Sequence, residues 1–300
     1  MCIDITRIFM IRKNTRAALY LLLLGGRKMT KIHHMKLLFL ATRGNHMYDF
    51  VPYYYGPYSF ELYNDFRSLM RDGIISEEDA TPGSGNKDVW ALKEEWVVPK
   101  PDPGVQRIIN SVFNTYNSMK ESDLIKFVYD KYPEYSVNSK LTNYKHVIQK
   151  QQETGIVTIG YEGKNFDKFI DQLIQNNVDI LVDVRRNAYS MKYGFSKYQL
   201  VKTFDSFQKE SIITKISYIH MPELGIPSEK RKGKTLSEYG EMFKEYETGL
   251  NELSKYLDQL IALSKTHKIA LMCFEADVSY CHRGIIAKRL REMGCPVMDI

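Results

Sequence analysis

The sequence predicts an α/β protein in two parts, a mainly helical, winged-helix-like N-terminal domain and a C-terminal domain with a Rossmann-like, mostly parallel sheet. A chain of 300 residues is too long for a single small domain, because domains usually hold about 100–200 residues, so two domains are expected. Up to residue 98, helical apolar spacing is followed by a hairpin pattern. From Gly155 onwards, short apolar runs alternate with helical patterns, which is typical of a parallel sheet covered on both faces.

The predicted domains are 1–98, winged-helix-like; 99–152, a linker with a helical extension; and 153–300, the α/β domain. The proline-rich stretch 99–104 lacks amide donors at alternate positions and favours extended backbone, as linkers do. Residues 104–148 have an all-helical pattern. The polar stretch 150–155 then gives way to a buried-strand pattern.

The N-terminal domain is predicted from three helices followed by a wing. Apolar spacing predicts helices over Thr15–Leu24, Thr30–Thr42 and Ser59–Asp72, the second of them capped by the side chain of its first residue. Ile74-Ile75 and Val89–Leu92 read as the two strands of the wing. Helix, helix, helix, wing is the order of a winged helix.

The C-terminal domain is predicted from alternating strands and helices. The predicted strands are Ile156–Gly160, Ile180–Val184, Ile216–Met221, Ile269–Phe274 and Pro296–Ile300. The predicted helices are Phe166–Gln175, Lys197–Gln208, Leu236–Ser264 and His282–Met293.

Composition and charge narrow the class of protein. The apolar fraction of 44% and the charged fraction of 26% exclude a disordered or collagen-like chain. The longest apolar run, Ala17–Leu24, is far shorter than the ~20 residues that span a bilayer, so no membrane partner is expected.

Residues 1–43 carry a net charge of +8 and residues 44–103 a net charge of −6. A basic N-terminal edge suits a polyanion such as nucleic acid, although a solvated surface has the same composition.

Cysteine usage favours a reduced, cytoplasmic setting. The 300 residues contain 4 cysteines, and three of them (Cys273, Cys281 and Cys295) fall in one short stretch. This is no secreted disulfide framework. A zinc site is less well supported, because the sequence lacks a Cys-x-x-Cys pair, and a disulfide between Cys273 and Cys281 is the least supported option. The sequence therefore predicts no metal and no cofactor.

Polar and nucleophilic residues follow the predicted strands. Since ligands of parallel sheets bind beyond the carboxyl ends of the strands, we expect these residues to form the site. The candidate catalytic residues are Cys281, Glu275 and Asp183. The candidate substrate- or anion-binding residues are Gly160, Tyr161, Arg185, His282 and Arg283.

Each candidate has a chemical reason and a structural alternative. A thiol at a helix N-terminus beside a cation ionises readily, which suits Cys281 as a nucleophile, but the same position suits a half-buried cap. Arg283 and the free amides of the helix can hold an anion. Asp183 and Arg185 can equally form a structural ion pair, and Tyr161 can stack on a base or simply cover the end of the sheet. The functional interpretation predicts that both arginines share one pocket with the three catalytic candidates.

Four motifs in order resemble a known family. They are Thr-Ile-Gly-Tyr-Glu-Gly at 158–163, Val-Asp-Val-Arg at 182–185, Met-Pro-Glu-Leu-Gly at 221–225, and Cys-Phe-Glu at 273–275 with Cys-His-Arg at 281–283. Together they resemble the prokaryotic domain of unknown function 488. The resemblance implies an α/β domain with these motifs clustered at the strand ends, and it brings no established reaction. The N-terminal half is similar to winged-helix-like modules that stand beside such domains in mobile or defence-type genes.

The resulting functional hypothesis is a cytoplasmic protein that binds, and acts on, a nucleotide or nucleic-acid phosphate through a strand-end pocket. The alternative is a non-catalytic, DNA-associated regulator or interaction protein of the defence type, whose pocket only senses a small anion. Catalysis requires that the thiol and the carboxylates face a common cavity, whereas sensing requires only arginines and amides. The sequence indicates no oligomeric state.

Overall fold

The computed structural model describes residues 11–43, 47–81, 88–141, 153–209, 215–231 and 236–300. The chain divides into two compact units, residues 1–147 and residues 148–300. Each unit is described by itself.

Unit 1 combines helices with short antiparallel strands. Its helices are α1 (Lys13–Leu24), α2 (Lys31–Thr42), α3 (Phe60–Arg71), α4 (Pro103–Tyr116) and α5 (Glu121–Lys131). Its strands are β1 (Lys28–Thr30), β2 (Val51–Tyr53), β3 (Gly56–Tyr58), β4 (Ile75–Glu78) and β5 (Val89–Leu92). Strands β1, β5 and β4 form one antiparallel sheet in that order, and β2 pairs with β3.

Side-chain caps fix the starts of two helices in unit 1. The hydroxyl of Thr30 accepts a hydrogen bond from the His33 amide at the start of α2, as predicted for this residue. Ser59 caps α3 in the same way. The helices enclose a core in which Trp90 and Phe66 are fully buried. The three helices and β5 lie where the sequence predicts them, whereas β4 shares only Ile75 with its predicted strand. The winged-helix assignment stays a prediction.

The linker predicted from the proline-rich stretch 99–104 is shorter in the structure, because α4 begins within it. Asp102 accepts a hydrogen bond from the Gly104 amide and caps α4, which begins at Pro103. A proline fits this first turn because the missing amide would have no partner there. Ile109 of α4 and Leu124 of α5 are buried in the core of unit 1. Residues 142–152, at the end of the predicted helical extension, lie outside the described part of the chain.

Unit 2 alternates strands and helices. Its strands are β6 (Gly155–Gly160), β7 (Ile180–Asp183), β8 (Ser217–His220), β9 (Lys268–Cys273) and β10 (Val297–Asp299). Its helices are α6 (Phe166–Gln175), α7 (Lys197–Lys209), α8 (Ser228–Arg231), α9 (Leu236–Gly249), α10 (Ser254–Ser264) and α11 (His282–Glu292). The predicted long helix over 236–264 is interrupted by a 3-10 turn at Leu250–Leu253.

The five strands of unit 2 form a parallel sheet in the order β10-β6-β9-β7-β8. This confirms the predicted α/β class and the parallel sheet. Every residue of β7 and β9 is buried, as expected of strands covered on both faces. Strand β9 lies at the centre of the sheet, so the residues that follow it stand between those that follow β6 and β7.

No helix in the described ranges combines the length and the apolar character that a bilayer-crossing segment needs.

Candidate functional site

The candidate residues of unit 2 divide between the two faces of the parallel sheet. Strand β9 pairs Cys273 with Gly160 and Met272 with Asp183. Laterally paired residues share a face and consecutive residues alternate, so Asp183 and Cys273 point to opposite faces. The core cluster that packs Cys273 against α11 agrees, since it includes Leu271 of the same strand.

Asp183 and Arg185 form a buried ion pair on the face of the sheet to which Asp183 points, which we call the first face. The guanidinium donates two hydrogen bonds to the carboxylate, from Nε to Oδ1 at 2.9 Å and from Nη2 to Oδ2 at 2.6 Å. It also donates to the hydroxyl of Tyr161 at 2.8 Å and to the carbonyl of Phe195 at 2.8 Å. The Tyr218 hydroxyl donates to Asp183 at 2.7 Å. We call these residues (Tyr161, Asp183, Arg185 and Tyr218) the arginine cluster.

The electrostatics of the arginine cluster indicate a structural role. Burial opposes the charge on Arg185, but the Asp183 carboxylate outweighs it and raises the pKa of the guanidinium. Burial, followed by the charge of Asp183, raises the pKa of Tyr218 well above its ordinary value. With the Arg185 backbone amide, which donates to Oδ1 at 3.1 Å, the carboxylate accepts four hydrogen bonds from Arg185 and Tyr218. This arrangement supports the structural alternative for Asp183 over general-base catalysis.

The second face carries two thiols and an imidazole. Nδ1 of His282 lies 3.7 Å from Sγ of Cys273 and 3.9 Å from Sγ of Cys281. The Cys273 thiol donates a hydrogen bond of 3.2 Å to Oε2 of Glu275. Nε2 of His282 lies 3.0 Å from the Val184 carbonyl. We call Cys273, Glu275, Cys281 and His282 the thiol–imidazole cluster.

This cluster favours one ionised thiol. Burial raises the pKa of Cys281, but hydrogen bonds with Cys273 and His282 and the charge of His282 outweigh it and lower the pKa to about 6. The hydrogen bond with Cys281 and burial raise the pKa of Cys273. Burial lowers the pKa of His282, but its contacts with Cys281 raise it on balance. The Cys281 thiol is therefore the more readily ionised of the two, with the His282 ring nitrogen 3.9 Å from its sulfur.

Arg283 lies on the same face as the thiols but points inward. Its guanidinium is fully buried and donates to the carbonyls of Glu275 and Ala276. A Cβ atom on Gly160 would lie 1.9 Å from the Glu275 carbonyl oxygen and 3.0 Å from Nη2 of Arg283. Glycine therefore lets the loop after β9 rest on the end of β6. Arg283 fixes that loop, and its side chain is not presented to a bound anion.

The prediction of one shared pocket is wrong. Arg185 bonds Asp183 on one face of the sheet, whereas Arg283 lies beside Gly160 and Glu275 on the other. The Glu275 and Cys281 side chains do meet, in the thiol–imidazole cluster. All candidates lie at one edge of the sheet, because they follow the carboxyl ends of parallel strands. They point to opposite faces at that edge, because consecutive residues of a strand alternate between the two faces.

Tyr161 contacts three residues at the edge of the sheet, Phe195, Phe274 and Lys192, and none of them is a site residue predicted from the sequence. Its ring stacks on Phe195 with centroids 4.3 Å apart and meets Phe274 edge-on at 5.3 Å. Its carbonyl accepts a hydrogen bond of 3.0 Å from Nζ of Lys192. Tyr161 itself is 4% exposed and covers the sheet end, whereas Phe274 is 43% exposed. For Phe274, the signal in the sequence is an aromatic residue at the end of a buried strand.

The family comparison concerns this unit. Residues 165–290 match the family described as a domain of unknown function, DUF488. The C-terminal unit carries a DUF488 domain. The matched range contains Asp183, Arg185 and the whole thiol–imidazole cluster, while Gly160 and Tyr161 precede it. No curated protein and no solved structure matches the chain significantly.

Proposed function

We propose that the DUF488 domain binds a nucleotide or a nucleic-acid phosphate at the carboxyl-end edge of its sheet. The observation that carries the proposal is an exposed aromatic ring, Phe274, and an ammonium group, Lys192, that both contact Tyr161. Arg186, directly after the arginine cluster, is exposed at the same edge and bonds the Pro222 carbonyl only loosely, at 3.4 Å. We call Phe274, Lys192 and Arg186 the rim surface.

The rim surface suits a nucleotide because it pairs an aromatic face with cations. A base that stacks on an aromatic side chain gains about 1–3 kcal/mol without sequence preference. Lysine and arginine side chains nearby attract the phosphate, and this attraction weakens with salt. Ligands of open parallel sheets bind beyond the carboxyl ends of the strands, which is where this ring and these cations lie.

Chemistry on such a ligand would fall to the thiol–imidazole cluster. Glu275 directly follows Phe274 in the chain, but the two side chains point to opposite faces of the sheet, so a ligand stacked on that ring reaches the cluster only around the edge of the sheet. Cys281 is the nucleophile of this proposal and His282 its positioning partner, with Glu275 as the nearby carboxylate. We propose no catalytic role for Asp183.

Burial favours the second candidate function, a regulator that binds without chemistry. Cys281 is 2% exposed and Cys273 is 1% exposed, so a substrate reaches neither sulfur unless the loop after β9 opens. Binding at the rim surface requires no such opening. We also propose a cytoplasmic location for either function, since the buried cysteines Cys273 and Cys281 are free thiols.

Binding variants test the proposal directly. Fluorescence anisotropy with a labelled single-stranded oligonucleotide, competed by ATP, should show salt-sensitive binding by the wild-type chain. Phe274→Ala and Lys192→Ala should each weaken it. Met293→Ala and Lys265→Ala are the matched controls, because Met293 is 42% exposed and Lys265 is an exposed lysine on the loop before β9.

Two results would decide against the rim surface. One is the absence of binding by the wild-type chain at low salt. The other is equal affinity of the rim variants and their controls. If binding holds, product analysis after incubation with the oligonucleotide and with ATP separates the enzyme from the regulator, with Cys281→Ser as the inactive reference.

A further inference from the structure

Three soft ligand atoms converge on the second face of the sheet. Sγ of Cys273, Sγ of Cys281 and a ring nitrogen of His282 all lie within 4.8 Å of one another, and all three side chains are buried. We propose that these side chains bind a zinc ion. This goes beyond the proposed function, since a zinc site needs neither a nucleotide nor the rim surface.

The spacing of the ligand atoms fits a tetrahedral ion. Zinc binds sulfur at about 2.3 Å and nitrogen at about 2.0–2.1 Å, which places sulfur and nitrogen about 3.6 Å apart around a tetrahedral centre. The observed distances from Nδ1 of His282 are 3.7 Å to Cys273 and 3.9 Å to Cys281. The side chains therefore need only small movements to share one ion.

The orientation of His282 prepares its nitrogen for a metal. The Val184 carbonyl can only accept a hydrogen bond, so Nε2, 3.0 Å away, carries the proton. In the neutral ring Nδ1 then has a lone pair directed at the two sulfurs. Zinc-bound histidines usually donate their other ring N–H to a carbonyl or carboxylate, which fixes the tautomer in this way.

A carboxylate lies beside one of the three ligand atoms. Oε2 of Glu275 lies 3.2 Å from Sγ of Cys273, and its loop is held by the buried Arg283. Two thiolates and an imidazole select zinc over magnesium or calcium, which prefer oxygen ligands. The ligands come from the end of β9 and the start of α11, elements that the fold already holds together. The spacing Cys-x7-Cys-His lacks the Cys-x-x-Cys signature, which is why the sequence alone favours no metal over a zinc site at these residues.

Cobalt titration of the full-length, chelator-treated chain tests the proposal. Co²⁺ should bind one ion per chain and give the intense sulfur-to-cobalt absorption of thiolate ligation, and Zn²⁺ should displace it. Cys281→Ser and His282→Gln should weaken zinc binding by more than about 100-fold. Cys295→Ser is the matched control, because Cys295 contacts Ser264 rather than the cluster. It should bind zinc as the wild type does.

Wild-type measurements keep the test independent of whether the variants fold. Zinc should raise the thermal midpoint of the wild-type chain, while magnesium at the same concentration leaves it unchanged. Cobalt spectra without sulfur-to-cobalt absorption would overturn the proposal, and so would zinc affinity equal in Cys281→Ser and Cys295→Ser. Nucleotide binding by the metal-free chain reports on the proposed function separately.

Discussion

Arg185 shows how one buried charge depends on one partner. Its guanidinium is 6% exposed and has two hydrogen bonds to Asp183, whose carboxylate is fully buried. A buried ion pair contributes little net stability, because both charges lose their hydration. Removal of one partner is different, since it leaves the other charge buried without compensation.

We therefore expect Asp183→Asn to destabilise unit 2 by about 3–5 kcal/mol, because it leaves the Arg185 charge buried without its carboxylate. Urea unfolding followed by circular dichroism measures this. Asp258→Asn, on an exposed face of α10, should change stability by less than about 0.5 kcal/mol. Equal midpoints for the two variants would contradict the structural role of Asp183.

Lys36 is a buried cation of unit 1 whose charge is disfavoured. Burial lowers its pKa from 10.5 to about 7, and the nearby Glu121 offsets only part of this effect. Between about pH 7 and pH 10 the unfolded chain therefore binds more protons at this residue than the folded chain does. Its contribution to stability rises with pH in that window, by up to about 1.4 kcal/mol per pH unit.

Lys36→Met should remove this dependence. We expect the variant to be more stable than the wild type at pH 7 and the difference to shrink towards pH 9. Urea unfolding at pH 7, 8 and 9 gives the comparison, with the exposed Lys126→Met as the control. A stability difference that does not change with pH would contradict the lowered pKa of Lys36.

At the scale of elements, the loop after β9 is positioned by the end of β6. The Glu275 carbonyl occupies the space that a Cβ atom on Gly160 would need. We expect Gly160→Ala to displace the loop, to lower stability by about 1–3 kcal/mol and to weaken zinc binding. Gly240→Ala is the control: apart from its chain neighbours and its own helix backbone, no atom in the described part of the chain lies within 4 Å of its Cβ position, and alanine in α9 should stabilise by roughly 1 kcal/mol. Unchanged stability and zinc affinity in Gly160→Ala would refute the contact.

Most helices and strands could be predicted from local patterns. Helix α6 begins and ends at the predicted residues. Strand β6 begins one residue earlier than predicted, and β9 begins and ends one residue earlier. The capping role of Thr30 also follows from its position before an apolar stripe. In contrast, β1 was missed because a strand of three residues shows no period, and its pairing with β5 is a distant contact.

The arrangement of the candidate site could be predicted only in part. The strand-end rule places Asp183 and Cys273 at one edge of the sheet. Their faces depend on the lateral register of β7 against β9, which pairs Asp183 with Met272. Register between strands that are distant in sequence leaves no local signal, so the separation into two clusters could not be predicted. Phe274 was not predicted as a site residue because the sequence places it at the end of a buried strand, where an aromatic side chain is expected to pack in the core.

At the scale of the molecule, the opposite charges of residues 1–43 and 44–103 meet within unit 1. Lys28 pairs with Glu78 and Lys31 with Glu77, each at 2.8 Å. Arg12 also lies 3.6 Å from Glu61. Half-exposed pairs of this kind contribute at most about 1 kcal/mol each. Much of the basic N-terminal charge is thus balanced by neighbouring carboxylates.

We therefore expect the double substitution Lys28→Ala and Lys31→Ala to leave oligonucleotide affinity and its salt dependence unchanged, because both ammonium groups face carboxylates. Lys192→Ala should lower the affinity and flatten the salt slope by about one counterion. Anisotropy titrations between 50 and 200 mM salt, roughly the range in which such slopes are measured, make the comparison. A flatter salt dependence of the affinity in the double variant would indicate that the oligonucleotide binds to unit 1 instead.

The strand order of unit 2 has a consequence for how the protein is made. Strand β6 has β9 and β10 as its only neighbours among the described strands, and β9 begins about 110 residues after β6. During synthesis at about 5–20 residues per second, both edges of β6 therefore stay unpaired for several seconds or more. An apolar strand with two open edges is a site for aggregation. Production of this domain should thus benefit from chaperones that shield the nascent chain until β9 and β10 have been made.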